Sequence, residues 1–199
     1  MRLLFIVALV ASVTFSGCKK GENDPFFSLK TRKGRLAGDW KVSFAEYTIN
    51  DTSWTYDGTT LKETFEGNLV SEIKITYDYS FNKSGDYSIN REEDYPANYF
   101  SPNTPPLTYT YFEQGTWNFT GGAGGTKTKS QLLLQTERIE RRVEGLDEVD
   151  AQVHENPILG KIMDLDMLKN KEMRWKYDYT GSTPSAKIIE FGTWEFEKQ

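Results

Sequence analysis

The chain has few residues able to do chemistry, and most of them stand alone. Among 199 residues there is one histidine, His154, and one cysteine, Cys18. A histidine general base needs a nucleophile or carboxylate within hydrogen-bond reach. No recognised motif places one beside His154, which sits in a polar stretch and reads as an exposed or hydrogen-bonded bystander. A histidine-based metal site would have a single imidazole to use. The run Gly121-Gly122-Ala123-Gly124-Gly125-Thr126-Lys127-Thr128 has the composition of a phosphate-cradling loop. There, however, Thr126 separates glycine from lysine and no helical pattern follows, so it reads as a hairpin connection. Asp164 and Asp166 are two apart but lack the following glycine and distal glutamate of a calcium loop; they read as a solvated turn. Glu92-Glu93-Asp94 and the group Asp147, Glu148 and Asp150 read as solvated loop acids, since a glycosidase pair needs a fixed carboxyl separation. The expectation is a protein that is not an enzyme, with no cofactor and no metal site.

Composition narrows the class further. A charged fraction of 27% and a mean hydropathy of −0.62 are too polar for a multi-span helical membrane protein. A net charge of −5 argues against general nucleic-acid binding, which needs a basic footprint. A lone cysteine cannot pair within the chain. An aromatic fraction of 14% is too high for a chain disordered throughout.

Met1-Arg2 is a short positive start, and Leu3 to Val13 is an apolar run. Such a run suits the core of a secretory signal and is shorter than the ~20 residues of a spanning helix. It leads into Phe15-Ser16-Gly17-Cys18, with small residues directly ahead of the cysteine. This resembles the lipobox of bacterial lipoproteins, with Phe15 where those sequences usually carry leucine. The resemblance implies removal of residues 1–17, acylation of Cys18 (palmitate among the acyl groups) and attachment to a membrane. Buried acyl chains contribute about 0.8 kcal/mol per methylene, so two or three chains anchor stably. Lys19 follows the cysteine, not the aspartate that retains many lipoproteins at an inner membrane. The resemblance therefore implies an outer-membrane, cell-envelope location, with the periplasmic or surface face left open. A plain secretory signal is the alternative.

Residues 18–34 read as the acylated N-terminus and tether, polar and glycine-containing from Lys19 to Pro25. Phe26 to Leu36 has the mixed character of a short helix or turn before the first strand. From Trp40 onward the dominant signal is period-two alternation, the mark of strands with one buried face. In Ile73-Lys74-Ile75-Thr76-Tyr77-Asp78-Tyr79-Ser80-Phe81 five apolar or aromatic side chains share one face. Asn82-Lys83-Ser84-Gly85 then reads as a hairpin turn. Met173, Trp175, Tyr177 and Tyr179 form a second such run. Further strands are predicted over 40–49, 59–66, 87–89, 108–119, 130–141 and 187–197. Glu92 to Leu107, rich in proline, and Arg142 to Lys161 read as long loops, the latter with room for a short helix. The fold class expected is all-β: a single antiparallel meander of about eight strands over residues 35–199, closed as a barrel or packed as a sandwich.

One local unit recurs: Gly38-Asp39-Trp40, Gly115-Thr116-Trp117 and Gly192-Thr193-Trp194, each 77 residues from the next. Glycine lets a strand bend or be approached closely, and the Trp and its next-but-one neighbour share a face. These tryptophans are expected in one core; an internal duplication is an open alternative. Gly38-Asp39-Trp40 with Leu36 before it resembles the Gly-x-Trp start of the lipocalins, and the chain from Arg35 onward resembles lipocalin-like bacterial lipoproteins. That resemblance implies an up-and-down barrel with a ligand cavity and a basic residue of the last strand over the first Trp. Lys187 and Lys198 flank that strand. It also implies non-catalytic binding of a small apolar or amphipathic ligand. The loop aromatics Tyr95, Tyr99 and Phe100 are the candidate ligand-binding residues at the cavity mouth. The alternative is an interaction module for an envelope protein or glycan, with no internal ligand. The partners expected are thus the membrane, through Cys18, and one of these; nucleic acid is not among them.

Overall fold

In the computed structural model the described residues are 24–25, 29–121, 130–144, 149–153, 159–182 and 187–199. Cys18, the signal segment, His154, Gly122 to Thr128, Asp147 and Glu148 lie outside them. One short helix, α1 (Arg32–Leu36), precedes eleven strands. They are β1 (Gly38–Ile49), β2 (Thr52–Tyr56), β3 (Thr60–Phe65), β4 (Asn68–Phe81), β5 (Asp86–Tyr95), β6 (Leu107–Thr120), β7 (Gln131–Val143), β8 (Val149–Val153), β9 (Leu159–Leu168), β10 (Glu172–Ser182) and β11 (Lys187–Lys198). The alternation read in the sequence sets the faces. Ile73, Ile75, Tyr77 and Phe81 of β4 are buried, while Lys74 and Thr76 between them are exposed. Asn82 shapes the β4–β5 turn by accepting from the Gly85 and Asp86 amides at 2.9 Å each. Gly85 there has φ +116°, a region other residues avoid.

The strands close an antiparallel barrel, because β11 pairs with β1 and β6 pairs with β7. Ten strands make the ring, not about eight, and β8 adds an eleventh on the edge of β7. The extra pair is the hairpin β2–β3, which wedges into only part of the wall. Gly38–Lys41 of β1 pair directly with Asp78–Phe81 of β4. Farther along, Ala45–Ile49 pair with β2, and Asn68–Lys74 pair with β3. The hairpin therefore widens one end by two strand spacings, about 10 Å of girth. The barrel has a narrow end and a wide end.

Several segments depart from the sequence expectation. Arg142 to Lys161 contains the end of β7, all of β8 and the start of β9, where a long loop was expected. Asp164 and Asp166 lie in β9, not in a turn: Gln131 Nε2 donates to Asp164 at 2.9 Å and Arg174 Nε to Asp166 at 2.6 Å. A register shift between Arg174 and Trp175 explains why β9 was hard to see. Met163 and Leu165 alternate inward, but the bulge puts the next buried residue, Leu168, three positions on. Glu92-Glu93-Asp94 likewise end β5, and Asp150 lies in β8.

The narrow half is packed solid. Trp40, Val42, Phe81, Trp117, Met173 and Phe196 are all at most 2% exposed. The expected short helix is α1, capped by Thr31, whose Oγ1 accepts from the Gly34 amide at 3.0 Å. It closes this end with Leu36 fully buried. Asp24 joins it there. Its carboxylate takes Arg35 Nη2 at 3.1 Å, Arg32 Nη1 at 3.6 Å and the Leu168 amide at 2.8 Å. The packed structure thus reaches back to Asp24.

Candidate functional site

The three Gly-x-Trp units share one steric reason. A Cβ on Gly38 would overlap the Lys198 side chain, one on Gly115 the Gln135 carbonyl, and one on Gly192 the Tyr47 Cβ and Glu46 carbonyl. Each glycine lets a neighbouring strand or side chain come close beside a tryptophan. Trp40 donates from Nε1 to the Leu36 carbonyl at 2.7 Å and carries Lys198 Nζ 4.9 Å above its ring. Lys198 also bonds the Arg35 carbonyl at 2.9 Å, tying the last strand to α1. Trp117 donates to the Asn82 carbonyl at 3.1 Å and is buried with Trp40 in the core. Trp194 lies higher and only half-buried, packed against that core. These positions organise the packed half.

Tyr95, Tyr99 and Phe100 do come together, at the wide rim. Tyr95 has its ring centroid 4.8 Å from both Tyr99 and Phe100, and Tyr109 joins at 5.4 Å. These contacts hold the Pro-rich loop over the rim. The Tyr95 hydroxyl donates to Glu93 at 2.7 Å. Beside the cluster is an open groove of about 710 Å³, lined by Tyr95, Pro96, Pro106 and Leu107 with Ile73 and Lys74 opposite.

A second set of residues, inside the wide half, was not singled out from the sequence. Tyr47 is sandwiched between Trp54 and Trp194, with centroids at 5.2 and 5.3 Å and rings within 14° of parallel. Tyr77 meets Trp194 edge-on at 5.5 Å. Tyr79 stands below, edge-on to Trp175 and Phe196. Although surrounded by core residues, Tyr79 keeps accessible surface, as do Tyr111, Tyr177 and Trp194. The wide half is therefore not filled by its own side chains to the density of the narrow half.

Charged groups share this interior. Arg91 lies over the Tyr111 ring at 4.5 Å and is paired through Nε with Glu93 at 2.8 Å. Glu113 is 2% exposed. Its Oε1 accepts from Tyr87 at 2.6 Å and Thr136 at 2.7 Å, and its Oε2 accepts from Tyr111 at 3.0 Å. Burial alone would raise the Glu113 pKa, but the charge of Lys161 and the three hydroxyls hold it below the usual carboxylate range. Burial raises the phenols instead. Tyr77 goes up to about 12, and Tyr47 and Tyr79 go higher. Burial also raises Glu190, against the pull of Lys161. The phenols are thus neutral donors across the ordinary pH range. Tyr47 feels both Arg91 and Glu190, and Tyr79 feels both Arg91 and Glu113; pairing opposite buried Tyr77, Ile89 and Leu134 puts Arg91, Glu113 and Lys161 on the interior face.

The arrangement supplies flat apolar faces, neutral hydroxyl donors and fixed charges of both signs. Among the described residues no group of three or more His, Cys, Asp or Glu could hold a metal ion, and no helix is long and apolar enough to cross a membrane. Compared with protein-family models and with curated proteins, the chain matches none.

Proposed function

We propose that the protein is a lipid-anchored envelope lipoprotein, similar to the lipocalin-like ones, whose barrel binds a small amphipathic molecule without transforming it. The carrying observation is the division of the interior. A solid aromatic core fills the narrow half, and the wide half keeps accessible ring surface beside polar groups. Stacked Trp54, Tyr47 and Trp194 suit an apolar body, and the neighbouring ions and hydroxyls suit a polar head. The inward ionisable groups disfavour a purely apolar guest, which would strip their water without replacing it. The likeness to lipocalins draws support from Lys198 over Trp40, since that family sets a basic residue of the last strand over the first Trp.

The anchor reading has a geometric consequence. Asp24 is fixed at the narrow end, and Cys18 precedes it by six residues, a reach of at most about 22 Å. An acylated Cys18 would hold the narrow end toward its membrane and leave the wide end facing away.

Native mass spectrometry of the chain lacking residues 1–17, before and after denaturing extraction, tests the binding. The expected result is a released small molecule, or saturable quenching of tryptophan fluorescence by an added amphiphile. A barrel with neither would refute the reading. For the anchor, Cys18→Ala is expected to abolish labelled-palmitate incorporation; continued incorporation overturns it. A second reading, an interaction module for an envelope protein or glycan, is favoured by the groove beside Tyr95. Deleting residues 97–105 would then remove crosslinked partners while sparing any internal ligand.

A further inference from the structure

Among the described residues, two inward ions of the wide half have no protein partner of their own. Lys161 pairs in register with Leu134, a core residue 2% exposed, so its side chain leaves β9 on the interior face, where it stays open to solvent. Glu190 stands opposite Tyr179 on β10 and Ile49 on β1. The other inward ions are engaged. Glu93 takes Arg91 and the Tyr95 hydroxyl, Glu113 takes three hydroxyls, and Arg141 lies 4.5 Å over the Tyr109 ring. Lys161 acts electrostatically on both Glu113 and Glu190, yet forms no ion pair or hydrogen bond with either. Among the described residues neither Lys161 nor Glu190 has another hydrogen-bond partner.

The wall is incomplete at the same place. The β9–β10 ladder runs from Leu168↔Met173 to Asp164↔Lys176 and stops, although both strands continue toward the wide end. The positions that would come next are Met163 with Tyr177 and Lys161 with Tyr179. Tyr177 is half-buried and Tyr179 is 44% exposed. Lys161 therefore projects into the barrel beside an unpaired stretch of wall, with Glu190 one strand away across Tyr179.

We infer that Lys161 and Glu190 form the head-group site of the barrel's ligand, and that this head group is zwitterionic, an anion and an ammonium a few bonds apart. The inference rests on the binding reading above and specifies its ligand. Two opposite charges held apart near apolar rings favour a guest that neutralises both, its anion on Lys161 Nζ and its ammonium on the Glu190 carboxylate. A simple anion would meet Glu190, and a simple cation would meet Lys161. A neutral head would engage neither. The apolar tail would lie along Tyr47, Trp54 and Trp194, and the unpaired stretch of wall is where the head would enter.

The test uses one acyl chain with four head groups: lysophosphatidylethanolamine, the fatty acid, the fatty amine and the monoacylglycerol. Free phosphoethanolamine is the head without the tail. Binding is read by tryptophan fluorescence on the wild type, Lys161→Met and Glu190→Gln. The zwitterion is expected to bind about tenfold tighter than the other three. Each substitution should remove most of that advantage and leave monoacylglycerol binding unchanged. Free phosphoethanolamine binding as tightly as the lysolipid would point to a soluble source of the same head group, and weaker binding to a lipid. A monoacylglycerol that binds as well as the zwitterion overturns the inference while sparing the binding reading. A preference surviving both substitutions does the same. If no amphiphile binds, both fail.

Discussion

Removing Glu113 tests whether the polar interior is built or incidental. Its carboxylate is 2% exposed and accepts hydroxyls from Tyr87, Thr136 and Tyr111 at 2.6, 2.7 and 3.0 Å. A hydrogen bond to a charged group contributes about 1.5–3 kcal/mol, so three sum to a gross of about 4–9 kcal/mol. Most of that is recoverable. The Tyr87 and Thr136 hydroxyls are already 3.0 Å apart and can bond each other. The net cost expected is about 2–4 kcal/mol for Glu113→Ala and about 1–2 kcal/mol for Glu113→Gln, which keeps one acceptor. Urea unfolding followed by tryptophan fluorescence reads both values. The folded pKa of Glu113 lies below its ordinary value. Its contribution is therefore complete above the unfolded pKa, about 4.3, and is lost as pH falls through the folded pKa. The gap between wild type and Glu113→Gln should narrow across that acid window. A loss under about 0.5 kcal/mol for Glu113→Ala at neutral pH, or a gap that widens in acid, refutes the reasoning.

Four other substitutions probe the frame. Gly115→Ala drives a methyl into the Gln135 carbonyl of the neighbouring strand. It should cost about 3 kcal/mol and lower Tm by about 6–12 °C. Gly67→Ala, at φ +78° in open space, should cost only about 1 kcal/mol; equal losses at the two sites would show that close packing is not the cause. Lys198→Met keeps an apolar stem near Trp40 but loses the ammonium over the ring and its bond to the Arg35 carbonyl. A loss of about 1–2 kcal/mol in chemical denaturation is expected, and stability unchanged within error counts against the contact. Asp24→Asn leaves Arg32 and Arg35 without their shared carboxylate and should destabilise by about 3 kcal/mol. Stability equal to wild type would mean that this N-terminal residue does not seal the barrel.

Much of the barrel was legible because alternation is a local property. The inward face of β4 and the hairpin at Asn82–Gly85 follow from residue order, since side chains alternate whatever the strand pairs with. The misses have equally local causes. β2 and β8 are five residues each, too short for a period to stand out. In β9 a bulge breaks the period between Leu165 and Leu168. Tyr95, Tyr99 and Phe100 were recognisable as aromatics in a proline-rich loop, and they do meet at the rim. The interior site was not recognisable. Arg91, Glu93, Glu113, Lys161 and Glu190 look like ordinary surface charges, because a charged residue in a strand is usually on the solvated face.

By itself, the amino-acid order determined the all-β class, the strand faces and the glycines that must sit beside tryptophans. These depend on side-chain period and backbone sterics within a few residues. Only the tertiary structure decided that β2–β3 wedge open one end, that α1 and Asp24 seal the other, and that charges from several strands face the interior. Those outcomes depend on ring closure and register, and a shift of one residue in either would have turned the same charges out into water.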